Sequence, residues 1–161
     1  SVIDPNDTIK DVDYKYNPIA LEHYFGYNNN KLSTESGSLK AMLDEMISQV
    51  ENGRTSFEIT IDASASKVPT RTFKNNMELA NKRAENMKNL LNTFIAGNST
   101  LKGKVTIKVD KVGVNGPAYQ GDFKNVDRYG PYQYVKINVS GEENTEDSEL
   151  KKFESKDEEL K

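Results

Sequence analysis

The stretch that decides the fold lies at residues 75–84 and reads NNMELANKRA. It begins a helix predicted over residues 76–96, because apolar residues recur there every three or four positions. These apolar residues are Met77, Ala80, Ala84, Met87, Leu91 and Phe94. Asn76 and Arg83 lie seven residues apart, so their side chains project from one side of the first two turns. The helix therefore carries a packing face and, beside it, a pair of polar side chains.

Arg83 is a candidate residue for binding an anion. It lies near the N-terminal end of the predicted helix, where backbone N–H groups and the helix dipole favour negative charge. Its planar guanidinium matches the geometry of a carboxylate. The alternative is a solvated helix charge paired with Glu78 or Glu85, and spacing alone favours this alternative.

The elements around this helix alternate between strand and helix patterns. A second, earlier helix is predicted over residues 38–50 from an apolar stripe formed by Leu39, Met42, Leu43, Met46, Ile47 and Val50. The predicted strands are residues 21–27, 57–61, 105–109 and 135–139. The order β-α-β-α-β-β requires at least one parallel strand pair. We therefore expect an α/β fold, an α+β two-layer sandwich with a mixed sheet and the helices packed on one face.

Length and charge indicate one domain with a distinct tail. The 161 residues suit a single hydrophobic core. The net charge is −3, and residues 141–161 hold nine acidic and four basic residues, a net of −5, which leaves +2 for residues 1–140. A body this close to neutral has no basic surface for nucleic acid. We expect an extended arm at residues 1–20, a folded domain at 21–140 and a disordered or marginally helical tail at 141–161.

The sequence shows no segment for membrane insertion. No apolar run approaches the roughly 20 residues that span a bilayer, so we do not expect this fragment to insert into a membrane directly. The chain opens at Ser1 with neither Met nor an apolar signal region, which favours a mature or trimmed sequence.

Residue content argues against an enzyme. The chain has no cysteine and a single histidine, His23, so no nucleophile–histidine motif and no zinc cluster can be recognised. A lone histidine in an aromatic strand is more often structural or surface-exposed than a catalytic base. No glycine-rich phosphate loop is present, and nothing singles out a carboxylate pair. We therefore predict no catalytic residues, no metal and no cofactor.

Four positions within residues 75–84 carry a family resemblance. Asn76, Leu79, Arg83 and Ala84 reproduce the pattern N-x-x-L-x-x-x-R-A, which resembles that of OmpA-like domains. Residues 25–28, read as FGYN, look like the F-D-F-N opening of that family, and residues 113–117 and 132–137 occupy the places of its later motifs. The resemblance covers roughly residues 21–140.

The resemblance implies a binding function in the bacterial cell envelope. OmpA-like domains are non-covalent anchors that hold an outer-membrane or periplasmic protein to the cell wall by gripping the diaminopimelate side chain of a peptidoglycan stem peptide. By this resemblance, Arg83 would pair with the ligand carboxylate, and Asn76 and Asn28 would add hydrogen bonds. The expected location is the periplasm, in association with the outer membrane or the cell wall.

The sequence departs from the family pattern where the ligand ammonium should bind. Ser66 and Gly26 stand where the family has aspartates, and Ala63 stands at the glycine of its G-x-T-D loop. Asp62 is the acid that a shifted loop would bring into this place. The alternative function is therefore a protein-interaction module on the same fold, with protein partners in the envelope and a decayed peptidoglycan pocket.

Overall fold

The fold is seen in a computed structural model that describes residues 16–141 and 149–157. The strands are β1 (Ile19–Tyr24), β2 (Phe57–Ala65), β3 (Val105–Val114), β4 (Tyr134–Gly141) and β5 (Lys151–Lys156). The helices are α1 (Gly37–Glu51), α2 (Asn76–Ala96) and the short α3 (Val126–Tyr129), which a 3-10 turn at Gly130–Tyr132 follows.

The five strands form one mixed sheet in the order β3-β2-β4-β1-β5. β2 pairs in parallel with β3 and antiparallel with β4, while β1 pairs antiparallel with β4 and in parallel with β5. α2 packs on β2 and β3, and α1 packs on β1 and β5. The helices cover one side of the sheet, so the predicted two-layer sandwich is confirmed.

The core lies between the two helices and the sheet. It consists of the inward side chains of the strands and one face of each helix; examples are Ile59, Ile61, Val135, Ile137, Met42, Met46, Met87 and Leu91. Both apolar stripes were predicted correctly except at Met77, which is 45% exposed. Met77 belongs to the first turn of α2. None of the helices in the described ranges is both long enough and apolar enough to cross a bilayer.

The N-terminus of α2 is held by two side chains. Asn75 accepts a hydrogen bond from the Glu78 N–H at 2.8 Å, and the Glu78 carboxylate accepts one from the Lys74 N–H at 2.6 Å. This is close to a capping box, which satisfies N–H groups that lack partners inside the helix. The helix therefore starts where the sequence pattern places it.

The strand predicted over residues 57–61 is longer in the structure. β2 continues to Ala65 because a bulge between Ile61 and Ala63 shifts its pairing with β3. The Asp62 carboxylate accepts a hydrogen bond from the Lys111 N–H at 2.9 Å, which satisfies a backbone group that the bulge leaves unpaired.

The prediction of a disordered or marginally helical tail is wrong for Lys151–Lys156. These residues form the edge strand β5 beside β1. The sequence pattern missed this strand because most of its side chains are charged and only Phe153 packs against the core. The strand is held in the sheet by backbone hydrogen bonds to β1, which the side-chain pattern does not show. Of the predicted arm, Tyr16 is buried and Ile19 and Ala20 belong to β1, whereas residues 1–15, 142–148 and 158–161 lie outside the described residues.

Truncating the only core contact of β5 tests this strand directly. Replacing Phe153 by Ala should lower the free energy of unfolding by about 1–2 kcal/mol, since a partly buried aromatic side chain is lost. Urea denaturation measures the difference. The exposed neighbour Lys151→Ala is the control and should change stability by less than about 0.5 kcal/mol. Equal effects of the two substitutions would show that β5 is not packed against the core.

Candidate functional site

Arg83 is buried completely, so the prediction of a solvated helix charge is wrong. Its Nε donates to the Asn29 carbonyl at 2.9 Å, and Nη1 donates to the Ser64 carbonyl at 2.9 Å. Nη2 makes a longer contact of 3.5 Å with the Gly26 carbonyl. The guanidinium also lies over the Phe25 ring, 4.8 Å from its centroid. Arg83 therefore joins α2, the end of β2 and the loop after β1.

The charge of Arg83 is compensated by a residue of the C-terminal segment. Burial lowers the pKa of the guanidinium to about 9, and the negative charge of Asp157 acts in the opposite direction. Asp157 follows β5 directly and was predicted to lie in the disordered tail. The fold thus brings an acid to Arg83 from a region that the sequence pattern did not connect with it.

The Asp157 carboxylate occupies a site built for an anion. Its Oδ2 accepts hydrogen bonds from the Gly26 N–H and from Asn29 Nδ2, both at 2.7 Å. His23 Nε2 lies 3.3 Å from Oδ1, although the geometry falls short of a hydrogen bond. We call His23, Gly26 and Asn29 the carboxylate cradle. Arg83 supports the cradle through its hydrogen bonds to the carbonyls of Gly26 and Asn29.

The cradle favours the ionised carboxylate. Burial by itself raises the pKa of Asp157, but the contacts with His23, the Gly26 N–H and the Asn29 amide outweigh burial. The pKa therefore lies below its usual value. The electrostatic character of this site is that of an anion site.

The loop after β1 shapes the cradle because Arg83 fixes one side of it. Arg83 takes the carbonyls of Gly26 and Asn29, while the Gly26 N–H and the Asn29 amide serve Asp157. Asn28, between them, has a φ of 61°, a left-handed conformation that asparagine tolerates better than most residues. The loop is thus clamped between a cation and a carboxylate.

Asn28 uses its side-chain oxygen and one N–H of its amide within the protein. Its Oδ1 accepts from the N–H groups of Arg71 and Thr72, at 3.2 and 3.4 Å, and from the Thr70 hydroxyl. Its Nδ2 donates to Thr72 Oγ1 at 2.5 Å. Asn28 therefore ties the β1 loop to the loop between β2 and α2.

Ser66, Ala63 and Asp62 also have structural partners. Ser66 is buried, and its hydroxyl accepts from the Val68 N–H at 3.3 Å and from Gln133 Nε2 at 3.2 Å. Ala63 is buried within β2, and Asp62 binds the backbone of β3 on the far side of the sheet from β1. The structure does not bring these three residues to the cradle, and Asp62 does not replace the missing acid.

Asn76 is different, because its side-chain oxygen is buried without a hydrogen-bond partner among the described residues. A buried acceptor without a donor costs about 1–3 kcal/mol. Asn76 therefore keeps an acceptor unused at the first turn of α2, about 10 Å along the helix from Arg83 at 1.5 Å per residue.

A pocket of about 340 Å³ adjoins the cradle at His23. Its lining includes Leu21, His23, Leu32, Ser38, Met87 and Ser155. Ser155 links two of these residues, since its hydroxyl lies 2.5 Å from His23 Nδ1 and accepts from Ser38 Oγ at 2.7 Å. His23 therefore belongs both to the cradle and to the neighbouring pocket.

We compared the chain with models of known families, with curated proteins and with solved structures, and found no match. The resemblance to OmpA-like domains therefore remains a prediction from the motif.

Sequence reasoning missed three residues of the cradle region. His23 was interpreted as structural or surface-exposed, Asn29 was not singled out, and Asp157 was placed in the tail. The sequence held little signal for β5, because Phe153 is the one apolar residue of Lys151–Lys156 and charged residues flank it.

Removing the Asp157 charge should change how stability depends on pH. Since its pKa in the folded protein is lowered, its contribution is fully present above about pH 4 and is lost as pH falls through the lower folded-state pKa. Asp157→Asn should therefore lose about 1–3 kcal/mol of unfolding free energy at pH 7 and less at pH 3. Urea denaturation at several pH values measures this difference.

The exposed Asp44 on α1 provides the control, because its ion pair in the described part of the chain is with Lys40, one helical turn earlier. Asp44→Asn should reduce stability by less than about 0.5 kcal/mol at pH 7. If Asp157→Asn matched this small effect at every pH, the cradle would not hold an ionised carboxylate.

Proposed function

We propose that this domain is a non-catalytic binding module for the carboxylate of a peptidoglycan stem peptide, of the diaminopimelate type. The observation that carries the proposal is the Asp157 carboxylate held in the cradle by the Gly26 N–H and the Asn29 amide. In this proposal the module anchors a bacterial envelope protein to the cell wall from the periplasm.

The cradle is suited to a carboxylate because its donors are fixed before a ligand arrives. The Asn29 carbonyl is held by Arg83 at 2.9 Å, so the loop keeps its shape. Arg83 itself is buried and makes three contacts with backbone carbonyls. A rigid donor set loses little conformational entropy on binding. Arg83 acts here as a fixed charge behind the site.

The unused acceptor of Asn76 supports a ligand that also carries a donor. A stem peptide offers amide N–H groups and, in diaminopimelate, an ammonium group. Ser66, Ala63 and Asp62 supply no acid for that ammonium. Since the cradle offers two fixed N–H donors to a carboxylate and the ammonium would meet only a neutral acceptor, we expect recognition to depend mainly on the carboxylate.

A second candidate is a protein-interaction module, and the way Asp157 reaches the cradle favours it. Asp157 arrives at the end of a strand that extends the sheet at β1. An acidic segment of another envelope protein could pair with β1 in the same way, as in strand addition. The two candidates share the cradle and differ in whether the ligand is wall peptide or protein.

Sedimentation with purified peptidoglycan sacculi tests the first candidate. The intact chain should be retained, and Arg83→Lys should lower the apparent affinity by about tenfold or more, because lysine cannot reach three carbonyls with a planar fork. Asn29→Ala should weaken retention in the same direction, since it removes a direct donor to the carboxylate.

Arg54 is a matched control for the loss of a buried guanidinium. It is also almost fully buried, donates to the carbonyls of Ser56 and Ser140, and lies over the Phe57 ring at 4.1 Å. Arg54→Lys should reduce stability without a specific loss of retention. Equal losses of retention in the two lysine variants would contradict a binding role for Arg83.

Free amino acids distinguish wall peptide from protein as the ligand. Diaminopimelate should compete with sacculi for the domain, whereas lysine amide, which carries no carboxylate, should compete at least about tenfold less well. Absence of retention both for the intact chain and for Asp157→Ala, which removes the carboxylate that fills the cradle, would contradict peptidoglycan binding and favour the second candidate.

A further inference from the structure

We propose that β5 is a displaceable occupant of the cradle, with Asp157 holding the place of the ligand carboxylate until β5 leaves β1. The proposal rests on the proposed function, and it adds regulation of the same site by the C-terminal segment of the chain itself.

Direct competition follows from the hydrogen bonds in the cradle. One oxygen of Asp157 takes both the Gly26 N–H and an N–H of Asn29, each at 2.7 Å. The single hydrogen of a backbone N–H cannot serve a second carboxylate with good geometry. A ligand carboxylate can therefore use the Gly26 N–H only after Asp157 has moved away.

The position of β5 makes such a movement possible without unfolding the core. Among residues 16–141 and 149–157, β5 is the last strand of the sheet and pairs with β1 alone. Its residues Lys151, Lys152, Glu154 and Lys156 are exposed, and Phe153 is only partly buried. An edge strand with one apolar contact belongs to the least stable part of a fold. The antiparallel partners β1 and β4 remain joined when β5 leaves.

Polar contacts concentrate at the end of β5 that carries Asp157. The Asp157 N–H donates to the Tyr24 carbonyl at 3.0 Å. Ser155 connects with His23 and with Ser38 at the start of α1. These contacts depend on neutral and charged hydrogen bonds that water or a ligand can replace. The end of β5 next to the cradle is therefore held mainly by hydrogen bonds that water or a ligand can replace.

Release of β5 would also open the neighbouring pocket. Ser155 is one of the residues that line the pocket of about 340 Å³, so the pocket loses one wall when β5 leaves. His23 loses its contacts with Ser155 and Asp157 at the same time. A ligand that carries a carboxylate and an adjoining chain would find the cradle and the pocket accessible together.

The affinity for a soluble stem peptide that contains diaminopimelate provides the test, measured by calorimetry on the full chain. Asp157→Ala should lower the dissociation constant by about tenfold, because it removes the internal competitor. Phe153→Ser should act in the same direction by loosening β5 while keeping the carboxylate. Glu154→Ala is the matched control, since it removes an exposed negative charge from the same strand, and it should leave the affinity unchanged.

Binding that is measurable but equal in the wild type and in Asp157→Ala would overturn the proposal and leave the proposed function standing. Weaker binding by Asp157→Ala would also overturn it, because Asp157 would then assist the ligand. If neither the wild type nor any variant with β5 loosened binds, the proposed function fails as well.

Hydrogen exchange tests the release of β5 without any ligand. The amide of Asp157 and the Lys151 amide, which donates to the Pro18 carbonyl at 2.8 Å, should exchange through local opening, faster than the amides of β4. If the β5 amides exchanged only by global unfolding, the strand would not be displaceable and the proposal would be overturned, whatever the result with the stem peptide.

Discussion

The structure depends on a buried arginine whose N–H groups hold backbone carbonyls from separate parts of the chain. Arg83 contacts the carbonyls of Asn29, Ser64 and Gly26, and it rests on the Phe25 ring. A buried guanidinium is tolerated only when its donors are satisfied and its charge is compensated. These requirements determine the shape of the β1 loop and create a need for a negative charge nearby. The cradle is the consequence.

Asp157 meets that need, and this explains why a strand with four exposed charged or polar positions is ordered at the edge of the sheet. The carboxylate neutralises the local positive charge, and its pKa is lowered by the donors around it. While Asp157 occupies the cradle, its donors cannot bind a second carboxylate. In the proposed function, structural compensation and ligand recognition would use the same few atoms, so each would exclude the other.

Gly26 and Ser66, which stand where OmpA-like domains have aspartates, both have structural roles in this arrangement. Gly26 has no side chain to compete with Asp157, and its N–H is one of the two donors to that carboxylate. Ser66 is buried and hydrogen-bonded to Gln133 and Val68. The region expected to bind an ammonium is thus used for packing, while the unused acceptor of Asn76 remains. The site is specialised toward negative charge.

Local patterns in the sequence predicted β1 to β4, α1, α2 and most of the core, because helix and strand periodicity reflect which side chains face the sheet layer. They did not predict the charged strand β5. The capping residues at Asn75 and Glu78 likewise placed the start of α2. Tertiary structure alone decided what Arg83 contacts and where Asp157 lies. The contact between Arg83 and Asn29 spans 54 residues, and that between Gly26 and Asp157 spans 131. Contacts at such separations depend on how the strands are arranged in space, and no local periodicity records that arrangement.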